Sequence, residues 1–345
     1  MGDLPLNEKH SFQSDKKLQK LWVLKQSMRK PFVDVLIEKI HEKQSIICVG
    51  LDPRLDGLRV IPAALREEFG EDNNALIFEY MSNIIRITAD LVPIFKPQIA
   101  YYEAYDALDA LKRLISLAHS LGCLVLVDAK RNDIGSTSEA YASYVFDHLN
   151  ADACTINAYF GIDGVQPFLN YASEGKGVFA LVKTSNKSSQ DFQDLFALDV
   201  PESTPDQVTM TVQGEFVVKR NYLKMAELVH NWGNAAGLVG ESGYSCLGGV
   251  VGATFPTQLD AVRETLQNNF ILIPGYGAQG GTAEDILKGL NQDGLGAIVN
   301  SSRGINYAYS LAQYSQYSER EYAEAARQAV MDMNLEIEKA IGSLP

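Results

Sequence analysis

The chain is poor in the residues from which metal sites and disulfide frameworks are built. Its 345 residues include four cysteines and five histidines. Cys48, Cys123, Cys154 and Cys246 show no CxxC spacing and mostly sit in apolar, strand-like runs, so buried reduced thiols are expected rather than zinc ligands or disulfides. His10, His41, His119, His148 and His230 fall in helical or peripheral stretches with no H-E-x-x-H or other ligand pairing, and no metal site is expected. Long hydrophobic runs are missing as well. The longest, CLVLVDA and FILIPGYG, are strand-sized and far short of the roughly 20 apolar residues that cross a bilayer. The opening MGDLPLNEKHSF has no basic start leading into an apolar stretch, so no secretory signal is expected and the cytoplasm is the default address. A surplus of positive charge is lacking too: the formal net charge is −13, spread along the chain. That balance repels a nucleic-acid backbone while leaving room for a local basic site that holds a small phosphate.

What is present is the composition of a globular protein, 46% hydrophobic and 21% charged. Short apolar β-like runs alternate with longer helical stretches. The runs at 46–52, 91–97, 123–130, 152–159, 177–184, 247–254, 270–277 and 296–302 make eight candidate strands. Amphipathic segments lie between them, such as 103–122, which ends at Gly122 as helices often do. Near-continuous apolar strands separated by helices imply a parallel sheet buried on both faces. Eight such units over about 250 residues predict an α/β fold, a closed (β/α)8 TIM barrel, rather than an open doubly wound sheet. Residues 1–45 read as a charged, helical N-terminal extension to a single barrel domain at 46–345. Residues 186–213 read as a polar insertion after the fifth strand, on the face where such barrels keep their active sites, and loops of that length often act as lids.

Catalytic groups in this architecture project from the C-terminal ends of strands. At the end of the third candidate strand, in LVDAKRNDIGST, Asp128 and Lys130 are two apart and therefore expected on one face. Asp133 follows in the loop, and Lys96 ends the neighbouring second strand. The predicted result is an alternating line Lys96, Asp128, Lys130, Asp133, in which each charge keeps its neighbours ionised. A structural ion-pair network is the bland explanation of such a line. Phosphate recognition is the second signal. The loops after strands seven and eight often hold a phosphate on backbone N–H groups, and here they carry PGYGAQGG and NSSRGI, with Arg303 as a bidentate donor and Gln279 as a neutral one. Gly275, Gly277 and Gly280 also match the dinucleotide fingerprint, with Asp293 downstream. Too little chain follows to complete a dinucleotide-binding sheet, so a monophosphate cradle is the expectation.

At these residues the sequence resembles the orotidine 5'-phosphate decarboxylase family. Its D-x-K-x-x-D signature stands as Asp128-Ala-Lys130-Arg-Asn-Asp133, and VGLDPR, FKPQIAYYEAY, LVKTSN, PGYGAQGG and NSSRGI follow in the family's order over residues 46–308. The length and the insertion resemble the longer branch of the family. The resemblance implies conversion of orotidine 5'-monophosphate to UMP and CO2, the last step of de novo pyrimidine synthesis, without a cofactor. It implies that Lys130 protonates C6 and stabilises the carbanion, that Asp128 faces the departing carboxylate, and that Lys96 holds Asp128 and the ribose. Asp52 would bind the ribose hydroxyls, Ser185 and Thr184 the pyrimidine edge, and Gln279 and Arg303 the phosphate, with Pro274 and Ser302 close by. Asp133 and Thr137 would be contributed from the other subunit of a homodimer, and neither nucleic acid nor membrane is an expected partner. Three other readings compete. A magnesium-dependent sugar-phosphate relative shares the signature but carries an acidic residue where this chain has Lys96. A Schiff-base aldolase needs a neutral lysine, which flanking carboxylates oppose. A phosphate-ligand sensor would have no need of the whole charge line.

Overall fold

The computed structural model describes residues 29–57, 59–197, 218–277 and 280–342. Eight parallel strands close into a barrel: β1 (Ile47–Leu51), β2 (Ile94–Pro97), β3 (Leu124–Arg131), β4 (Ala153–Ile156), β5 (Gly177–Lys183), β6 (Ser245–Val251), β7 (Asn269–Pro274) and β8 (Ala297–Ser301). Each strand pairs only with its sequence neighbours, and β8 returns to β1 through Cys48↔Asn300 and Val49↔Ser301. All eight predicted strands are therefore present, with ends shifted by a few residues.

Helices cover the barrel. Between β1 and β2 lie α2 (Ala63–Phe69) and α3 (Asn73–Thr88), the latter capped by Asp72, whose carboxylate accepts the Ala75 N–H at 3.0 Å. The stretch expected as one helix over 103–122 is two, α4 (Ile99–Ala104) and α5 (Leu108–Ser120). The break falls at Asp106, whose φ of +52° is left-handed, a conformation that Asp tolerates better than most residues. Asn73 and Asn74 donate to the freed carbonyls of Tyr105 and Asp106. Beyond the break α5 buries Ala110, Leu111, Leu114, Ile115 and Ala118, the one-face spacing of an amphipathic helix.

A helix precedes the barrel, α1 (Phe32–Lys43). It lies across the N-terminal end of the strands: Phe32 packs edge-on against Phe179 and over Gly177, the first residue of β5. Asp34 is buried there and accepts the N–H groups of Glu241 and Ser242 at 2.9 and 3.0 Å. With one end of the barrel closed by α1, the C-terminal strand ends are left for chemistry. Of the insertion, residues 186–197 are described. A short antiparallel pair, Phe196–Ala197 with Lys219–Arg220, returns the chain to α8 (Asn221–Gly233), and residues 198–213 lie outside the described residues. Among the described residues no helix is long and apolar enough to cross a membrane.

Candidate active site

A cavity of about 210 Å³ opens at the C-terminal ends of the strands. One wall is charged: Asp52 after β1, Lys96 from β2, Asp128 and Lys130 from β3 and Thr155 from β4. The opposite wall is apolar, with Leu181, Val250 and Leu272 from β5, β6 and β7.

At the centre sits Asp128, 7% exposed. Its Oδ2 accepts from Lys96 Nζ at 2.8 Å, and its Oδ1 accepts from Lys130 Nζ at 2.5 Å and from the Thr155 hydroxyl at 2.7 Å. Burial pushes its carboxyl upward, but the two ammonium groups outweigh burial and hold it well below the usual carboxylate range. Burial pulls Lys96 down, yet Asp128 and Asp52 beside it leave its ammonium above the ordinary lysine value. Lys96 and Asp128 are thus held as an ion pair. Asp52 differs: burial dominates and raises its carboxyl above the usual value despite Lys96. Its Oδ1 is buried and has no hydrogen-bond partner among the described residues, a cost of about 1–3 kcal/mol for a polar atom left unsatisfied.

Asp128 and Lys130 converge as their spacing predicts, but simple strand alternation is not the whole reason. Between Val127 and Arg131 the β3–β4 register slips, so that four steps along β3 match two along β4. Lys130 lies in this bulge with φ +47°, and its N–H is held by the Thr155 hydroxyl at 3.1 Å. A lysine in left-handed conformation is strained by roughly 1–2 kcal/mol, and such strain gathers at functional sites. One threonine therefore fixes both the carboxylate and the backbone of the lysine beside it. Thr155 and Asn300 were missed by sequence reasoning. The available signal was a polar side chain near the C-terminal end of an otherwise apolar strand, in DACTINAY and GAIVNSS. Asn300 is buried, lines the cavity, donates to Ser302 Oγ at 3.2 Å and keeps an unpartnered Oδ1.

The fourth member of the expected charge line stands apart. Asp133 turns its Oδ1 to the Ile134 N–H at 2.8 Å and does not line the cavity, and Thr137 is exposed on α6 (Gly135–Ser143). Beside Asp133 stand the exposed apolar side chains of Ile134 and Phe160, and Tyr159 contacts both Phe160 and Phe192, with Tyr159 66% and Phe192 56% exposed.

Thr184, Ser185, Pro274, Ser302 and Arg303 all line the cavity. Among the described residues no hydrogen bond or ion pair engages the Arg303 guanidinium. Gly275, Gly277 and Gly280 all take positive φ, conformations that a side chain would oppose, and Gly275 and Tyr276 border the cavity. Gln279 lies outside the described residues. The dinucleotide alternative finds no support: Asp293 accepts from Leu295 N–H and Tyr244 OH just before β8, at the far end of the barrel from the cavity. Among the described residues no three His, Cys, Asp or Glu side chains cluster as a metal would need.

A closed (β/α)8 barrel with a carboxylate buried between two lysine side chains at its strand tips, beside a cavity-lining arginine and a glycine loop, has the layout of an enzyme active site. Residues 45–316 match the Orotidine 5'-phosphate decarboxylase / HUMPS family. The orotidine 5'-phosphate decarboxylase of Clostridium perfringens (strain SM101 / Type A) is 38% identical over 312 residues, covering 89% of this chain and 98% of that protein. Among solved structures, Leishmania donovani OMP decarboxylase matches with a TM-score of 0.67 at 30% identity, covering 91% of this chain and 100% of that one. Leishmania donovani UMP synthase matches with a TM-score of 0.69 at 32% identity; there the alignment covers 91% of this chain but 57% of the longer partner. The chain belongs to the orotidine 5'-phosphate decarboxylase family, and it is an enzyme of the carboxy-lyase kind.

Proposed function

We propose that the chain converts orotidine 5'-monophosphate to UMP and CO2 without a cofactor, with Lys130 as the proton donor. The observation that carries this reading is Asp128, buried and ionised between Lys96 and Lys130 at 2.8 and 2.5 Å. In the reaction the bond from C6 to the carboxylate breaks, CO2 departs, and the electron pair stays on C6. A proton then passes from Lys130 Nζ to that carbon. No conventional electron sink takes the pair, so a preorganised ammonium beside the developing charge has to lower the barrier, the kind of electrostatic contribution that is often the largest. Asp128 faces the substrate carboxylate, and Lys96 and Thr155 hold it there. Asp52 takes the ribose hydroxyls, which supplies the donor that its Oδ1 lacks. Arg303, with the glycine loop and Gln279, takes the phosphate; Ser185, beside Thr184, reads the pyrimidine edge. Binding energy from the remote phosphate is available for closing the site over the reacting ring.

The same reading makes the working unit a dimer. Asp133 and Thr137 stand outside their own cavity, Asp133 beside exposed apolar side chains, and a contiguous apolar surface on a folded protein marks an interaction site. A second copy covers that surface and receives Asp133 and Thr137 at its own Lys130. Residues 46–345 then act as one barrel domain, with 1–45 as its extension.

Magnesium-dependent members of the wider family are the competing reading, and Lys96 argues against it. Its ammonium already lies between Asp128 and Asp52, where it would oppose a divalent cation. The test is the loss of orotidine 5'-monophosphate absorbance with purified protein in EDTA, alongside Lys130→Ala. EDTA-insensitive turnover that disappears in the variant supports the proposal; turnover that returns only with magnesium refutes it.

A further inference from the structure

Beyond the cavity wall, at the end of β5, lies a buried cation that the chemistry above does not use. Lys183 is 0% exposed. Its Nζ donates to Ser189 Oγ at 3.0 Å and to Asp194 Oδ1 at 2.8 Å, and it sits 4.6 Å from the centre of the Phe255 ring. A buried ammonium is costly unless it is paired and hydrogen-bonded, and here both partners come from the root of the insertion. The next two residues, Thr184 and Ser185, line the cavity, whereas Ser189, Gln193 and Asp194 do not.

The root grips this wall a second time. Gln193 Oε1 accepts the Thr184 N–H at 3.0 Å, and Gln193 Nε2 donates to Thr184 Oγ1 at 2.8 Å. The Thr184 hydroxyl in turn donates to Asn186 Oδ1 at 2.7 Å, so its single proton is committed inside the protein. Ser185 is then the residue left to meet a ligand. From the other side it is pressed against β6: a Cβ on Gly252 would stand 2.8 Å from Ser185 Cα, and the Gly252 N–H donates to Lys183 O at 2.8 Å. The root itself is anchored to the start of α8, where Asn221 N–H donates to Leu195 O at 2.9 Å and Tyr222 N–H to Gln193 O at 3.0 Å.

We propose that Gln193 and the Lys183–Asp194 pair are positioning residues that set recognition of the pyrimidine edge without touching the substrate. The inference rests on the assignment of Ser185 given above. Thr184 and Ser185 lie past the end of β5, where no strand ladder holds the backbone. Recognition of a ring edge needs donors and acceptors held to within about 0.5 Å. The Gln193 amide fixes Thr184 by both its N–H and its hydroxyl, and the Lys183–Asp194 pair fixes Gln193 by docking the segment that carries it. Base recognition is thereby coupled to the seating of the insertion root.

The test measures binding of UMP and of ribose 5-phosphate to the full chain by titration calorimetry, for wild type, Gln193→Leu, Asp194→Asn and Ser185→Ala. UMP has the ring and ribose 5-phosphate does not. Both positioning variants are expected to weaken UMP about tenfold, the size of one lost hydrogen bond to the ring, while ribose 5-phosphate stays within about twofold. Equal weakening of both ligands, or of neither, overturns the proposal. Ser185→Ala separates the two levels. If it too leaves the ratio of the two affinities unchanged, the assignment of Ser185 fails and the proposal with it. If Ser185→Ala shifts the ratio but Gln193→Leu and Asp194→Asn do not, the positioning role alone is wrong.

Discussion

Lys130 offers a test in which chemistry and backbone strain separate. Its φ of +47° places a side-chain-bearing residue in left-handed conformation inside a β-bulge. Replacing it by Ala or by Gly removes the same ammonium from Asp128, so the loss of that 2.5 Å contact cancels when the two variants are compared. What remains is the backbone. Ala keeps the Cβ and its left-handed penalty of about 1–2 kcal/mol. Gly escapes it, but its unfolded chain gains entropy worth about 0.4–1 kcal/mol. Taking the middle of each range, Gly is the more stable by about 0.8 kcal/mol. At an ordinary strand position the sign is reversed, since Gly is about 0.5–1 kcal/mol worse than Ala. Urea unfolding of both variants at one protein concentration, pH 7, measures the difference directly. A Lys130→Ala protein as stable as Lys130→Gly, or more so, would refute the strained-bulge argument. Turnover of orotidine 5'-monophosphate is expected to vanish in both, because neither side chain carries a proton to donate.

Two further outcomes follow from the carboxylates. Asp52→Asn is expected to raise the melting temperature of the ligand-free protein at pH 7 while weakening nucleotide binding, because burial raises the Asp52 carboxyl above its ordinary value of 3.8. An acid whose folded-state value is raised costs stability once the pH exceeds that value, so the gain should shrink as the pH falls toward 4; a gain unchanged at low pH would contradict the assignment. Asp128 has the opposite sign, lowered from 3.8 by Lys96 and Lys130 against its burial. Its contribution is fully present above about pH 4, near the unfolded carboxyl value, and is lost as the pH falls through the range below. Thermal unfolding of wild type should therefore weaken more steeply below pH 4 than that of Asp128→Asn, and parallel curves would show that Asp128 is not held ionised.

Much of the molecule was legible in linear order because its causes are local. Apolar runs alternating with amphipathic stretches produce strands and helices wherever they occur, and eight repeats of the unit close a barrel. The position of Lys96, Asp128 and Lys130 at strand ends then places them on one rim. The break at Asp106 was not legible in the same way. The helical pattern of 103–122 runs straight through it, and the carbonyls freed there are satisfied by Asn73 and Asn74 from another helix.

The sequence by itself determined the barrel, the face that carries the chemistry and the candidates for it, because periodicity and spacing act over a few residues. Only the tertiary structure decided how those candidates meet. Thr155 reaches Asp128 and the Lys130 backbone from the neighbouring strand. The bulge turns Lys130 onto Asp128, and Asp133 ends outside its own cavity. Gln193 takes hold of Thr184 from nine residues downstream. The first of these depend on strand register and on distances across the barrel, and the last on how the insertion root folds back, none of which periodicity reports.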